Sequence, residues 1–226
     1  RLRARVLIDA TGRAAAISRR LGAERRILDR LTGVYAVLRG GTGHCRDGFS
    51  RIEAAADGWW YTAPLPTGDR VVAFHSDSDR PVLRGIATPA GFLAALRRTR
   101  MIAAEISVDA VAMLEGPFTV PAHSALTDPP AGAGWLAVGD AALALDPLSS
   151  QGLMNALFTG MAGGDAAAAL LDGNDAAARV YSARITQIRS AYEANLAYFY
   201  DVEATRRDGP FWTRRRPAPM AAAGTG

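Results

Sequence analysis

The 226-residue chain contains no lysine, because all 26 of its basic residues are arginines. Schiff-base chemistry, Walker-type phosphate loops and Ser-Lys catalysis all need a lysine amine, so the sequence excludes them for this chain. Cysteine is almost as scarce: Cys45 stands alone, and an internal disulfide cannot form. A lone cysteine is typical of a reducing compartment, and we therefore expect a cytoplasmic protein.

Metal-binding and nucleic-acid-binding signatures are also missing. The three histidines (44, 75 and 123) are far apart in sequence without ligand spacing, so we expect surface or hydrogen-bonded side chains and no metal site. The net charge is +4, but the arginines are scattered among acidic residues, with clusters that include residues 97–98, 206–207 and 214–216. We interpret these clusters as solvated surface and expect no nucleic-acid partner.

Long hydrophobic runs are absent with one exception. Residues 147–164 carry no charge, which raises the question of a membrane-spanning helix. Ser149, Ser150, Gln151 and Asn155 within this run would be costly in lipid. We therefore expect no membrane span.

One stretch combines a buried strand, an acidic turn and the start of a helix. Residues 135–138 have the length and composition of a strand, and Gly139 permits a sharp turn. Asp140 then stands at the carboxyl end of that strand, the usual ligand position in open α/β sheets. A helical pattern begins at Ser149, which predicts that the backbone N–H groups of residues 150–152 are unpaired donors suited to an anion or a polarised carbonyl.

Two segments near the chain ends are also informative. Residues 5–13 read Arg-Val-Leu-Ile-Asp-Ala-Thr-Gly-Arg, a short strand followed by a turn where Thr11 and Gly12 let the backbone approach a ligand. Residues 192–207 read as a long helix, followed by Asp-Gly-Pro-Phe-Trp at 208–212. We expect this helix to be stopped by Gly and Pro, with the Phe and Trp docked into a groove.

Together these segments resemble motifs of the FAD-dependent monooxygenase and flavin-dependent halogenase superfamily. Gly-Asp-Ala-Ala at 139–142 with Asp-Pro-Leu-Ser-Ser-Gln-Gly at 146–152 is similar to the family's second flavin-binding motif. The resemblance implies FAD as the cofactor, with Asp140 on the ribityl chain and residues 150–152 beside the flavin pyrimidine. The implied cofactor-binding residues are Asp9, Thr11, Gly12, Gly139, Asp140, Pro147, Ser150, Gln151 and Gly152.

The resemblance also implies an α/β fold class, α+β overall. We expect an incomplete Rossmann-like FAD-binding domain with an inserted antiparallel substrate sheet, C-terminal helices and a flexible tail; the expected boundaries are 1–32 with 124–172, then 33–123, 173–213 and 214–226. A Gly-x-Gly-x-x-Gly turn is missing, and the glycines at 39–43 lack the third member at the required spacing. We therefore expect the pyrophosphate loop, and any catalytic lysine, in a segment before Arg1, which makes this chain a fragment.

Hydrophobic periodicity and turn residues predict the elements between these motifs. Helices are predicted over residues 14–31 and 89–100. Strands are predicted over 34–39, 58–63, 70–76 and 116–123, with a hairpin loop at 64–69.

The inserted sheet is where the resemblance implies substrate recognition. Gly-Trp-Trp-Tyr-Thr-Ala-Pro at 58–64 is similar in placement to the halogenase motif Gly-Trp-x-Trp-x-Ile-Pro, but Tyr61 replaces the second Trp and Ala63 the Ile. Trp59, Trp60 and Tyr61 are candidates for an aromatic-substrate pocket, although alternate members of a strand face opposite sides. The helix start reads Ser-Ser-Gln-Gly rather than the halogenase Ser-Thr-Gly, whose amides help to bind halide. This form is closer to halogenase-like monooxygenases, including those that hydroxylate side chains of a partner protein.

The implied function is an FAD-dependent monooxygenase that hydroxylates an aromatic or other electron-rich substrate through a flavin C4a-hydroperoxide. The expected substrate is a small aromatic molecule or a side chain carried by a protein, and the expected electron source is a flavin reductase or NAD(P)H. Catalytic acids and bases are left unassigned. Three alternatives stay open: a flavin-dependent halogenase, a flavin-dependent reductase of a lipid-like double bond, and a non-catalytic partner-binding remnant.

Overall fold

The structure, a computed structural model, describes residues 3–39, 48–109 and 111–216. These form two units: Arg1–Thr32 with Pro121–Ala194, and Gly33–Val120 with Asn195–Gly226. Several predictions fall outside the described residues, namely those on the glycines at 40–43, on His44 and Cys45, and on the tail from residue 217. The assignment of cofactor and substrate domains to particular boundaries stays a prediction.

The elements follow one another in mixed order. The strands are β1 (Leu7–Asp9), β2 (Glu24–Ile27), β3 (Leu31–Leu38), β4 (Arg51–Ala55), β5 (Gly58–Pro64), β6 (Arg70–Asp77), β7 (Met113–Pro121), β8 (Ala125–Asp128), β9 (Ala131–Gly132), β10 (Trp135–Ala137) and β11 (Leu143–Ala144). The helices are α1 (Ala16–Arg20), α2 (Val82–Ile86), α3 (Pro89–Leu96), α4 (Met101–Glu105), α5 (Gly152–Leu171), α6 (Ala177–Ala204) and α7 (Pro210–Thr213).

The first unit contains two three-stranded sheets, ordered β1-β10-β9 and β11-β8-β2. β1 and β10 are parallel, whereas β10 pairs antiparallel with β9. Helix α5 packs closely against Val138, the residue that follows β10. This approach is possible because Gly163 has no side chain: a Cβ there would lie 2.6 Å from Val138 Cγ1. The core around these strands is rich in alanine and is completed by Trp135, Leu136, Tyr181 and Ile185.

The second unit is built on a five-stranded sheet of order β4-β5-β6-β3-β7. β5 and β6 form the predicted hairpin, with Pro64 opposite Arg70. One sheet face carries Trp60, Val72 and Phe74, which form a core with residues of α2, α3 and α4. Phe211 and Trp212 of α7 are buried as expected, and Trp212 Nε1 donates a 2.8 Å hydrogen bond to the Ala55 carbonyl.

Most predicted strands occur at their expected places, but the helix predicted over 14–31 is wrong. Only α1 is helical there, because the chain turns at Gly22 with a φ of 96° and continues as β2. Pairing of β2 with β8 along four residues outweighs the local helical preference of an Arg- and Ala-rich segment. The helix expected over 89–100 ends at Leu96, and α4 follows as a separate helix.

His75, expected to be a surface or hydrogen-bonded residue, lies in the interior, where its ring stacks on Trp59 with centroids 3.8 Å apart. Burial lowers the pKa of His75 to about 3, so the imidazole is neutral.

Among the described residues, no group of His, Cys, Asp and Glu is arranged to hold a metal ion. Within the same part of the chain, no helix is long and apolar enough to cross a membrane.

The arginines at 214–216 are not free solvated charges. Arg215 Nη2 lies 2.7 Å from the Asp77 carboxylate, whose side chain is 3% exposed. Arg214 reaches both Asp77 and Asp79, at 3.0 and 2.8 Å. Arg215 also lies over the Phe211 ring, 3.7 Å from its centroid. The ion pairs therefore fasten the segment that carries α7 to the end of β6.

We expect Arg215→Met to lower the free energy of unfolding by about 2–4 kcal/mol. The buried Asp77 carboxylate loses its ion pair with Arg215 and keeps only the one with the more exposed Arg214 among the arginines of this segment. The matched control is Arg189→Met, which removes an exposed i,i+4 pair with Glu193 and is expected to cost at most about 0.5 kcal/mol. Urea unfolding of both variants measures the difference. Equal effects would contradict the structural role of Arg215.

Candidate functional site

The ends of β1 and β10 bring two of the predicted motifs together. Asp9 lies opposite Ala137 in the parallel register, and the Val138 N–H donates to the Asp9 carbonyl at 2.9 Å. Because parallel strands share the direction of their carboxyl ends, the turns after Asp9 and after Ala137 leave the sheet at the same edge.

A cleft of about 670 Å³ lies at this edge, within the usual size range of ligand sites. It is lined by Ala10, Gly12, Arg13, Val138, Gly139, Asp140, Leu145, Asp146, Pro147, Gly152, Leu153 and Ala156. Five predicted cofactor-binding residues line it: Gly12, Gly139, Asp140, Pro147 and Gly152. The lining therefore draws on two regions that are distant in sequence, residues 10–13 and residues 138–156.

Asp9 does not line the cleft but fixes the turn that does. The residue is 1% exposed. Its carboxylate accepts hydrogen bonds from the backbone N–H groups of Thr11, Ile17 and Ser18 and from the hydroxyls of Thr11 and Ser18, at 2.6 to 3.1 Å. Burial alone would raise the pKa of Asp9, but the hydrogen bonds from Ser18 and Thr11 outweigh it and lower the pKa to about 2. Thr11 Oγ1 also accepts from the Ala16 N–H at 2.7 Å. Since protein donors already occupy these oxygens, the predicted cofactor contact of Asp9 remains a prediction.

Asp140 and Arg13 form an ion pair on the wall of the cleft. Arg13 Nε lies 3.5 Å from Asp140 Oδ2, and the two side chains are 26% and 33% exposed. The Arg13 guanidinium also donates to the backbone carbonyls of His123 and Leu145. A ligand in the cleft would thus meet an anchored cation beside a partly exposed carboxylate. Arg13 was not among the predicted cofactor-binding residues, and the one sequence signal for it is its position directly after Gly12 in the motif.

The turn that presents Asp140 is held from behind. Arg25 donates to the carbonyls of Asp140 and Ala141 at 2.8 and 3.2 Å, and Thr127 Oγ1 donates to Ala141 at 2.6 Å. Burial and the nearby Arg13 charge lower the pKa of Arg25. These contacts satisfy backbone carbonyls that the sharp turn would otherwise leave without partners.

Position 139 favours glycine for two reasons, its backbone conformation and its close approach to α5. Its φ is 56°, a conformation that side chains with a Cβ rarely adopt, and an added Cβ would lie 3.3 Å from Ala156 Cβ on α5. Its N–H donates to Thr159 Oγ1 at 2.7 Å. The turn and the first part of α5 therefore pack as one piece.

The segment 146–152 differs from its predicted form. Asp146 accepts from the Leu148 N–H at 2.8 Å, a 3₁₀ turn covers Pro147–Ser149, and α5 begins only at Gly152. Ser150 lies between these two elements and has a left-handed φ of 52°. Its N–H donates to the Pro147 carbonyl at 3.0 Å, and the Gln151 N–H donates to Ser149 Oγ at 3.3 Å. Two of the three donors predicted to be unpaired are therefore engaged, and neither Ser150 nor Gln151 lines the cleft.

The three aromatic residues predicted for a substrate pocket have different surroundings in the second unit. Trp59 is 2% exposed, stacks on His75 and donates its indole N–H to the Tyr200 hydroxyl at 3.1 Å. Trp60 is equally buried, lies 5.3 Å from the Phe92 ring and lines a second cavity of about 1090 Å³. Tyr61 is half-buried. Their role in substrate binding stays a prediction.

Known proteins resemble this chain in sequence and in fold, although no family model matches it. The chain is 31% identical over 215 residues to the putative FAD-dependent oxidoreductase LodB of Marinomonas mediterranea, a match covering 92% of this chain and 55% of LodB. The flavin-dependent halogenase CmlS superposes with a TM-score of 0.85 at 23% identity, covering 96% of this chain and 40% of CmlS. The peptidyl tryptophan dihydroxylase QhpG gives a TM-score of 0.76 at 24% identity, covering 98% of this chain and 50% of QhpG. The chain thus spans about half the length of these relatives.

These likenesses agree with the motifs. In sequence the chain resembles a putative FAD-dependent oxidoreductase, and in fold it resembles flavin-dependent halogenases and FAD-dependent monooxygenases. The predicted α/β fold class is confirmed.

The Asp9 network predicts a pH-dependent contribution to stability. The folded-state pKa of about 2 lies below the ordinary value of 3.8, so ionised Asp9 stabilises the fold by about 2 kcal/mol above about pH 5. This contribution is lost as the pH falls from about 4 to about 2. We expect Asp9→Asn to destabilise the protein at pH 7 and the difference from wild type to shrink in that window. Urea unfolding across pH measures it. The exposed Asp128→Asn control should show neither effect.

Proposed function

We propose that this chain supplies part of the flavin site of an FAD-dependent monooxygenase that hydroxylates an aromatic or other electron-rich substrate. The observation that carries the proposal is the convergence of Gly12, Arg13, Asp140, Pro147 and Gly152 on one cleft at the carboxyl ends of parallel strands. Ligands commonly bind at that place in α/β sheets. The resemblance to a putative FAD-dependent oxidoreductase supports FAD as the ligand.

The residues of the cleft fit a part of FAD. A Cβ added at Gly12 or Gly152 would meet no atom within 4 Å, so the backbone borders open space that a ligand can approach. The carboxylate of Asp140 can accept hydrogen bonds from ribityl hydroxyls, and Arg13 places a fixed positive charge where an anionic group would lie. The N-terminus of the 20-residue helix α5 favours negative charge near Gly152. These residues would bind the flavin and orient it.

FAD, when bound, supplies the redox and oxygen-activating chemistry. The chain's own contribution is to hold the cofactor, to stabilise its charge and to limit access of water to the cleft. No side chain of the cleft is assigned as an acid or a base. Electrons would come from a flavin reductase or from NAD(P)H, and the substrate would be a small aromatic molecule or a protein-borne side chain. A cytoplasmic location stays a prediction from the single cysteine.

Hydroxylation is favoured over halogenation by the geometry of the segment 146–152. The resemblance implies that halogenases use the amides at this position to help bind halide. Here the N–H groups of Ser150 and Gln151 donate within the segment itself. Tyr61 and Ala63 also depart from the halogenase motif. Halogenation is the second candidate, because CmlS shares the fold with a TM-score of 0.85. The double-bond reductase and the partner-binding remnant have no specific support in the cleft.

We expect Asp140→Ala to raise the Kd of FAD for the full-length protein by about 10- to 100-fold, the effect of losing one to two charge-assisted hydrogen bonds. Flavin fluorescence titration measures the Kd. Asp165→Ala, an exposed aspartate on α5, is the control and should leave the Kd unchanged. If the wild-type protein binds no FAD, the proposed function is wrong. If the two variants have equal Kd values, Asp140 does not contribute to FAD binding.

Halide dependence separates the two candidate reactions. With a flavin reductase, NADH and dioxygen, we expect the full-length protein to add one oxygen atom, a mass increase of 16 Da, to members of a panel of phenols, indoles and tryptophan-containing peptides. Removal of chloride and bromide should leave the yield unchanged, and liquid chromatography with mass spectrometry detects either product. Halogenated products that disappear without halide would overturn the hydroxylase assignment. Turnover that persists without dioxygen would instead support the reductase.

A further inference from the structure

Two tyrosines of α6 contact the backbone of the cleft from behind. Tyr181 and Tyr192 are 11 residues apart, about three helical turns, and therefore lie on the same face of the helix. Their side chains are almost fully buried, with residue exposures of 2% and 3%. Neither tyrosine is itself among the residues that line the cleft.

The Tyr192 hydroxyl meets the segment 146–152 at its first residue. The backbone N–H of Asp146 donates to it at 2.8 Å, and Ser124 Oγ lies 2.8 Å from the same oxygen. Ser124 is itself held by its N–H, which donates to Asp29 Oδ2 at 2.9 Å. Burial raises the pKa of Tyr192 to about 12, so the hydroxyl stays protonated and can accept one bond while donating another.

The Tyr181 hydroxyl holds the other cleft segment. It donates to the carbonyl of Ala137 at 2.6 Å, at the end of β10 and two residues before Gly139. Helix α6 therefore contacts the backbone just before the Asp140 turn and just before the Pro147–Gly152 loop. One helix therefore contributes a hydrogen bond to the backbone beside each loop of the cleft.

We propose that Tyr192 is a positioning residue for the flavin, which acts by fixing Asp146 and thereby the loop 147–152 at the edge of the cleft. This inference rests on the proposed function, because it concerns the same cofactor site. Asp146 is 2% exposed, so solvent has little access to its N–H. Loss of the hydroxyl removes the acceptor of this N–H, and we expect the loop to shift in response.

The test compares three variants of the full-length protein, using FAD as the probe. Tyr192→Phe removes the hydroxyl, and Ser124→Ala removes only its second partner. Tyr200→Phe is the matched control, because Tyr200 is a tyrosine of the same helix with 4% exposure whose hydroxyl accepts from Trp59 Nε1, outside the cofactor cleft. The readouts are the Kd of FAD from fluorescence titration, the absorption spectrum of the bound flavin and the midpoint of thermal unfolding.

We expect Tyr192→Phe to raise the Kd of FAD about tenfold and to shift the bound-flavin spectrum. Ser124→Ala should raise it less, and Tyr200→Phe should lower the thermal midpoint without changing the Kd. The proposal is overturned if Tyr192→Phe keeps the Kd within twofold of wild type, or if Tyr200→Phe raises it equally. If Tyr192→Phe does not fold, an unchanged Kd for Ser124→Ala overturns the proposal and a raised one supports it. Failure of wild type to bind FAD would sink the proposed function instead.

Discussion

The parallel pairing of β1 with β10 is the constraint on which the candidate site depends. It places Asp9 opposite Ala137, so that two turns more than 120 residues apart in sequence leave the sheet side by side. The buried carboxylate of Asp9 then fixes the first turn through five hydrogen bonds. In a different register, Gly12 and Asp140 would not be brought together at the same edge of the sheet.

The same pairing explains why the residues behind the cleft matter as much as those that line it. A cleft built from turns has few backbone hydrogen bonds of its own, and buried carbonyls and N–H groups must find partners elsewhere. Arg25, Thr159, Tyr181 and Tyr192 provide them from β2, α5 and α6. These side chains thus support the cleft from behind. Of the charged residues that line it, Asp146 is 2% exposed, whereas the side chains of Asp140 and Arg13 are partly exposed.

The fold class and most strands could be predicted from the sequence, because short motifs and hydrophobic alternation are local properties. Sequence-based prediction misplaced the features that depend on distant partners. The helix predicted over 14–31 is replaced in part by β2, whose partner β8 lies about 100 residues away. The donors predicted to be free at residues 150–152 are largely used within the loop, because Ser150 takes a left-handed conformation that composition does not reveal. The Tyr192 contact with Asp146 has no local signature at all.

The absence of lysine has a structural counterpart in the way this chain uses arginine. Arg13 contacts two carbonyls and one carboxylate, and Arg25 contacts two carbonyls and one hydroxyl. A planar guanidinium with five donors can bridge such fixed groups, whereas an ammonium ion acts as a compact point charge on a flexible stem. Arg13 therefore presents its charge in a set orientation beside Asp140. A ligand that approaches the cleft meets a preorganised pair of charges, and binding need not order a mobile side chain.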